Sequence, residues 1–193
     1  EIKFSQKFIK SINFKDNLII KGISENSNEV GLNFAFFAFS GTKTHGALFV
    51  QDAIEKGSNL IVTDIEGLEI IKSQNLKVSI LIFSEPRKIL GELIPYFFKK
   101  IPSNIIGITG TNGKTSVAHF IRQIWENFGY NAASIGTTGI DGVINLKTEL
   151  TTPDTLKLHW HLNQLSEKGV DRVALEASSH GLDQNRLHGI NLS

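Results

Sequence analysis

The 193 residues carry 40% hydrophobic side chains and a formal net charge of +1, enough apolar material for one or two buried cores and no broad positive surface for nucleic acid or an anionic membrane. The absence of cysteine excludes disulfides, thiolate metal sites and a cysteine nucleophile. No apolar run reaches the roughly 18–20 residues of a membrane span and no secretion signal opens the chain, so the expected setting is the cytoplasm. With no methionine and Glu1 at its start, the chain reads as a piece of a longer product.

In chain order, short β-branched or aromatic runs predict strands at 17–20, 34–39, 59–64 and 77–83, and polar amphipathic stretches between them predict helices at 46–57 and 66–74. A further helix is expected over 86–98, opened by Pro86 and bent or ended by Pro95. The polar hinge "KKIPSN" (99–104) separates this α/β unit, residues 1–100, from a second unit, residues 101–193. There the pattern restarts: strand 105–109, helix 115–128, strand 131–135, a long loop, helix 154–168 and strand 172–177. Alternation of strands with helices implies right-handed crossovers and a parallel sheet, an α/β fold throughout.

The break between strand 105–109 and helix 115–128 carries the chemistry. Val117, Phe120, Ile121, Ile124, Trp125 and Phe128 recur at helical spacing and are expected to form one buried face, with Gly129 as the stop. A strand that feeds a helix through Gly110, Thr111, Asn112 and Gly113 aims several backbone N–H groups and the positive end of the helix dipole at one spot, which suits a phosphate. Lys114 adds a charge able to reach a β or γ phosphate, and the hydroxyl of Thr115 or Ser116 can bind Mg²⁺. The loop is a short form: the longer phosphate-loop pattern requires glycine where Ile108 stands.

Glu176 ends the apolar strand "RVALE" on the sheet edge where the phosphate loop lies, and a carboxylate there can hold the magnesium of MgATP. "ELTTPDT" (149–155) and "SSHGLDQNR" (178–186) collect hydroxyls, a glutamine and an arginine in loops after strands. Arg186 is suited to a bidentate phosphate clamp, with Thr151, Thr152, Ser178 and Gln184 as neutral donors, although such loops also serve as turns and caps. His159 and His161 point to different sides of one helix and form no two-point metal site; His188 reads as surface and His180 as a loop-ordering residue.

"GITGTNGKTS", "GTTG" (136–139), "TTPDT" and "EASSHGLDQNR", in this order, resemble the Mur ligases of peptidoglycan synthesis, most closely the members that add the third residue of the stem peptide. The resemblance extends to the first unit, where "NSN" (26–28) and "GTKTHG" (41–46) stand in the place of two loops that bind the uridine end of the acceptor. It implies acceptor contacts from Ser27, Thr42, Lys43 and Thr44, with Asn26 and Asn28 replacing the family's acid and base. It also implies that ATP phosphorylates the carboxylate of UDP-N-acetylmuramoyl-L-alanyl-D-glutamate and that an incoming amine displaces the phosphate. Gly110, Thr111, Asn112, Gly113, Lys114, Thr115 and Ser116 would hold ATP, with Lys114 catalytic and Thr115 and Glu176 on magnesium. Thr151, Thr152, Ser178, Gln184 and Arg186 would hold the acceptor's diphosphate and muramoyl part. The resemblance leaves meso-diaminopimelate and L-lysine both open as the added residue, and places the groups that choose between them outside these residues. It implies a monomer that acts on small molecules, and a segment that binds parts of its ligands without turning over. Two other readings share the phosphate loop: another amide ligase of the superfamily, akin to folylpolyglutamate synthetase, and a non-catalytic nucleotide-binding module.

Overall fold

A computed structural model describes residues 8–15, 17–41, 44–148 and 150–193. The chain divides into two compact units, Glu1–Glu92 and Leu93–Ser193.

The first unit is built on a five-stranded sheet. Its strands are β1 (Lys10–Ile12), β2 (Gly22–Ser24), β3 (Phe34–Ala38), β4 (Ser58–Thr63) and β5 (Ser79–Ile82), in the spatial order β1-β5-β4-β3-β2. β2 to β5 run parallel and β1 closes one edge antiparallel to β5. A 3₁₀ turn (Gly46–Phe49) leads into α1 (Val50–Glu55), α2 (Ile65–Ile71) joins β4 to β5, and α3 (Pro86–Phe97) follows. Phe36, Ile61, Ile71, Ile80 and Ile82 are the centre of the core. β3 and β4 are nearly continuous apolar runs because both their faces are covered.

Two expectations fail here. No strand forms at 17–20, where Ile19 is 71% exposed; pairing begins instead at Gly22, where a Cβ would lie 2.4 Å from the Phe34 ring, a closeness that only glycine permits. β1 was not anticipated, since "KSI" has too few apolar residues to stand out from its neighbours. The helix expected over 46–57 is split into the 3₁₀ turn and the shorter α1. Pro95 sits inside α3, which ends two residues later.

The second unit holds β6 (Asn104–Ile108), α4 (Lys114–Asn127), β7 (Ala132–Gly136), β8 (Gly139–Gly142), α5 (Thr155–Glu167), β9 (Arg172–Glu176) and α6 (Ser179–Asp183). The sheet order is β6-β9-β7-β8, with β6, β9 and β7 parallel and β8 folded back antiparallel on β7. Leu158, Leu162 and Leu165 of α5 share one core with Ile105, Ile135, Val173 and Leu175. Because strand side chains alternate, the other face presents Ala132, Ser134 and Ala174, and against β7 and β9 on that face lies α4.

The α4 face expected to be buried is a correction. Val117, Phe120, Ile124 and Phe128 are 43%, 61%, 53% and 76% exposed, and the only α4 residue fully buried among the described residues is Ala118. The inward stripe runs through Thr115, Ala118, Ile121, Arg122 and Trp125, rotated from the apolar one. Small strand residues let the backbone of α4 approach closely, which favours its alanine side. The far end of the helix is held by Arg172, whose guanidinium lies 3.7 Å from the centre of the Tyr130 ring and 5.9 Å from that of Trp125. No helix among the described residues is long and apolar enough to cross a membrane.

Candidate functional site

Three parallel strands end on one edge of the second sheet, and each releases a loop that carries expected site residues. β6 is followed by the glycine turn. Gly110 (φ 145°) and Gly113 (φ 81°) hold backbone angles that side-chain-bearing residues rarely adopt, and both are exposed. Gly113 is the N-cap of α4 and provides no side-chain acceptor for the first-turn N–H groups. A helix N-terminus with unpaired donors and no acidic residue in its first turn is a site for an anion. The Lys114 ammonium reaches back to the Gly110 carbonyl at 2.6 Å, so its charge hangs over the turn that the glycines open. Thr111, Asn112 and Ser116 are exposed beside it and Thr115 is half-buried.

β9 lies between β6 and β7 and ends in Glu176, which is 1% exposed. One carboxylate oxygen accepts the Thr137 N–H at 2.9 Å and the other the Thr137 hydroxyl at 3.2 Å. No lysine or arginine among the described residues is recorded in an ion pair with it. A carboxylate that is buried among neutral donors favours a cation. Among the described residues no three metal-binding side chains cluster. Magnesium keeps waters and substrate phosphates as ligands and takes one or two groups from the protein. Glu176 and the Thr115 hydroxyl are the residues that fit it.

The remaining loops are tied together by an internal network. The Thr152 hydroxyl donates to the Glu176 carbonyl at 2.8 Å, accepts the Ser178 N–H at 3.0 Å and lies 3.0 Å from the Ser178 hydroxyl. Ser178 caps α6 by accepting the Gly181 N–H. Arg186 is 4% exposed; its guanidinium donates to the Thr152 carbonyl at 2.7 Å and twice to the Gln184 amide oxygen, at 2.7 and 3.0 Å. Arg186 therefore staples the Thr152 loop to the Gln184 loop, and its Nε also lies 3.6 Å from a carboxylate oxygen of Asp154, so the fork expected to clamp a phosphate is spent largely on the protein itself. Gln184 also donates to the His180 ring at 2.9 Å, the loop-ordering contact expected of that histidine. Thr151 is half-buried, 3.0 Å from the Thr137 hydroxyl. His159 is buried on α5, its Nδ1–H donating to the Thr155 carbonyl, and burial holds its pKa below the usual imidazole range. His161 is half-buried and shifted the same way by burial and by Lys157.

In the first unit, Ser27 is buried in a 3₁₀ turn (Ser27–Glu29) whose N-cap is Asn26, and Asn28 accepts from Lys56 at 2.8 Å. Thr44 is exposed in the loop after β3. Since β2 and β3 are parallel, Ser27 and Thr44 leave the same edge of this sheet. Thr42 and Lys43 lie outside the described residues. His45 was missed from the sequence: it is buried, takes the Ala47 N–H on Nδ1 at 3.0 Å and donates from Nε2 to Asp64 at 3.0 Å, anchoring the Thr44 loop. Thr137, Thr138 and His119 were missed as well. His119 lies 3.3 Å from the Thr138 hydroxyl, which donates to Asp141 at 3.0 Å. The one signal for Thr137 and Thr138 was the "GTTG" string, in which flanking glycines mark a tight turn; His119 had none.

Known proteins with the same features settle the family. Residues 108–193 match the Mur ligase middle domain. A UDP-N-acetylmuramoyl-L-alanyl-D-glutamate–2,6-diaminopimelate ligase from Mesorhizobium japonicum is 43% identical over 178 residues, 92% of this chain and 36% of the relative. Residues 108–193 belong to the Mur ligase middle-domain family. A ligase of the same name from Rickettsia montanensis is 40% identical over 180 residues, 90% of this chain and 36% of that protein. A solved structure of a ligase of this name superposes with a TM-score of 0.73 at 29% identity, covering 90% of this chain and 35% of its own. The MurF ligase of Thermotoga maritima, solved with ADP, shares the fold at a TM-score of 0.53 and 22% identity, over 90% of this chain and 36% of its own. The chain thus spans about a third of the length of the curated relatives it matches.

Proposed function

We propose that this chain carries the acceptor-binding and phosphate-binding parts of an ATP-dependent ligase that joins 2,6-diaminopimelate to UDP-N-acetylmuramoyl-L-alanyl-D-glutamate. The observation that carries the reading is a glycine turn opening an uncapped helix N-terminus on the strand beside a buried carboxylate. The names of the relatives supply the acceptor and the amino acid.

In this reading a carboxylate oxygen of the acceptor attacks the γ-phosphorus of ATP, the bond to the β-phosphate oxygen breaks, and ADP leaves an acyl phosphate. The amine of diaminopimelate then attacks the acyl carbon, expelling phosphate and losing a proton. Charge spreads over the transferring phosphoryl oxygens, so the protein acts by positioning and electrostatics. The N–H groups of Gly110 to Ser116 cradle the phosphates, with Thr111 and Asn112 shaping the turn, and Lys114 moves from the Gly110 carbonyl onto the transferring group. Thr115 and Glu176 would hold a magnesium ion, which would supply charge that neutralises the phosphates. Thr151, Thr152, Ser178, Gln184 and Arg186 bind the acceptor's diphosphate and muramoyl part, while Ser27, Thr42, Lys43 and Thr44 meet its uridine.

Calorimetric titration of the 193-residue chain tests this. MgATP and the UDP-muramoyl dipeptide each bind, and Lys114→Ala weakens ATP by about 10- to 100-fold, the scale of one charged hydrogen bond, without touching the acceptor. Equal ATP binding by the variant removes the phosphate-loop assignment. Binding of a folate in place of the UDP-sugar moves the chain to a folylpolyglutamate synthetase-like enzyme, and ATP binding with no acceptor leaves a nucleotide module.

A further inference from the structure

The turn between β7 and β8 has no role in the reaction as described, yet it touches Glu176, the Thr151 loop and α4. Gly136 pairs with Gly139, leaving Thr137 and Thr138 as the two residues of a tight hairpin. A Cβ on Gly136 would sit 1.9 Å from a Glu176 carboxylate oxygen, so the turn lies directly on that carboxylate. Thr137 grips both of its oxygens, one through its N–H and one through its hydroxyl, and the same hydroxyl meets Thr151 at 3.0 Å. Thr138 ties the turn to His119 on α4, one turn beyond Lys114 and Thr115.

The polarity of this chain of hydroxyls follows from donor counting. A carboxylate only accepts, so the single hydroxyl hydrogen of Thr137 goes to Glu176. Thr151 must then donate to Thr137. A hydroxyl that accepts a hydrogen bond is a stronger donor in turn, so Thr151 strengthens the grip of Thr137 on Glu176. A phosphate oxygen arriving at Thr151 competes for that hydrogen. Once Thr151 turns to the ligand, Thr137 donates less strongly and Glu176 keeps more of its charge for a cation.

We propose that Thr137 is a positioning residue that couples the acceptor loop to the metal carboxylate, so that acceptor binding at Thr151 raises the affinity of the site for magnesium-bound nucleotide. The proposal rests on the ligase reading above. It links the acceptor loop and the phosphoryl-transfer site in both directions: the acceptor tightens MgADP, and by reciprocity MgADP tightens the acceptor equally.

The test is a coupling measurement on the 193-residue chain. MgADP is titrated calorimetrically with and without saturating UDP-N-acetylmuramoyl-L-alanyl-D-glutamate, in wild type, Thr137→Val and Thr137→Ser. The acceptor is expected to tighten MgADP by about 5-fold in wild type, the low end of ordinary allosteric coupling. Thr137→Val keeps the backbone N–H to Glu176 and its side chain is exposed, so the fold persists; with the hydroxyl gone from the carboxylate, MgADP alone binds about as tightly as it does to the acceptor-loaded wild type, and the acceptor adds no further tightening. Thr137→Ser restores it. Undiminished coupling in Thr137→Val, or no coupling in a wild-type chain that binds both ligands, overturns the proposal alone. A wild-type chain that binds neither ligand overturns the ligase reading and the proposal with it. Should the valine variant fail to fold by circular dichroism, Thr137→Ala carries the same comparison.

Discussion

Helices α4 and α5 are nearly equal in length, 14 and 13 residues, and pack on opposite faces of one sheet, yet they are held by different means. α5 inserts Leu158, Leu162 and Leu165, none of them exposed, among Ile135, Val173 and Leu175. α4 presents Ala118 to Ala132, Ser134 and Ala174 and leaves Val117, Phe120, Ile124 and Phe128 outside. One face is cemented by large side chains and the other by closeness of backbones. The second arrangement suits a phosphate site, because a helix lying close over β9 and β7 brings its N-terminus to the strand end that carries Glu176.

The contrast predicts a large penalty on the α5 side. Leu162→Ala deletes fully buried methyl groups and is expected to destabilise the chain by about 2–5 kcal/mol in urea unfolding. A loss below about 1 kcal/mol would mean that the leucines are not what holds this face.

On the α4 side the expected signs are reversed in size. Ala118→Leu adds bulk where the backbones are closest and is expected to cost about 1–3 kcal/mol, whereas Phe120→Gln, on the exposed stripe, stays within about 0.5 kcal/mol. If the phenylalanine proves the more costly of the two, the inward face has been assigned to the wrong stripe.

The smallest effect is a pH dependence confined to α5. His159 has its pKa lowered in the fold, chiefly by burial, against a hydrogen bond to Thr155 that works the other way. The unfolded chain therefore binds the proton more readily, so the stability this residue contributes is complete above its unfolded pKa, about 6.5, and falls as the pH drops toward the folded value. His161 on the same helix shifts in the same direction. His159→Gln should flatten the acid side of a plot of unfolding midpoint against pH, leaving the part due to His161; an unchanged slope would remove His159 as its source.

Much of the site was legible because it is local. Strand, glycine turn and helix in succession impose uncapped N–H groups at one point whatever surrounds them, and a strand of apolar residues ending in glutamate places that carboxylate at the same edge once the strands are parallel. The strings around these features were enough to reveal the family. The partners were not legible. Nothing near Glu176 in sequence announces that Thr137, 39 residues earlier, grips it, nor does Arg186 announce that it binds the Thr152 carbonyl 34 residues away.

What the sequence by itself determined is the α/β alternation, the glycine turn and the helical state of 114–127, all consequences of contacts within a few residues and of an amphipathic period. Which stripe of α4 faces inward was decided by the tertiary structure. Two apolar stripes compete on that helix, and the choice between them depends on the size of side chains on β7 and β9, distant in the chain. The unanticipated β1 and the grip of Thr137 on Glu176 have the same cause: they are set by the sheet partner, and a strand's partner is not written in the strand.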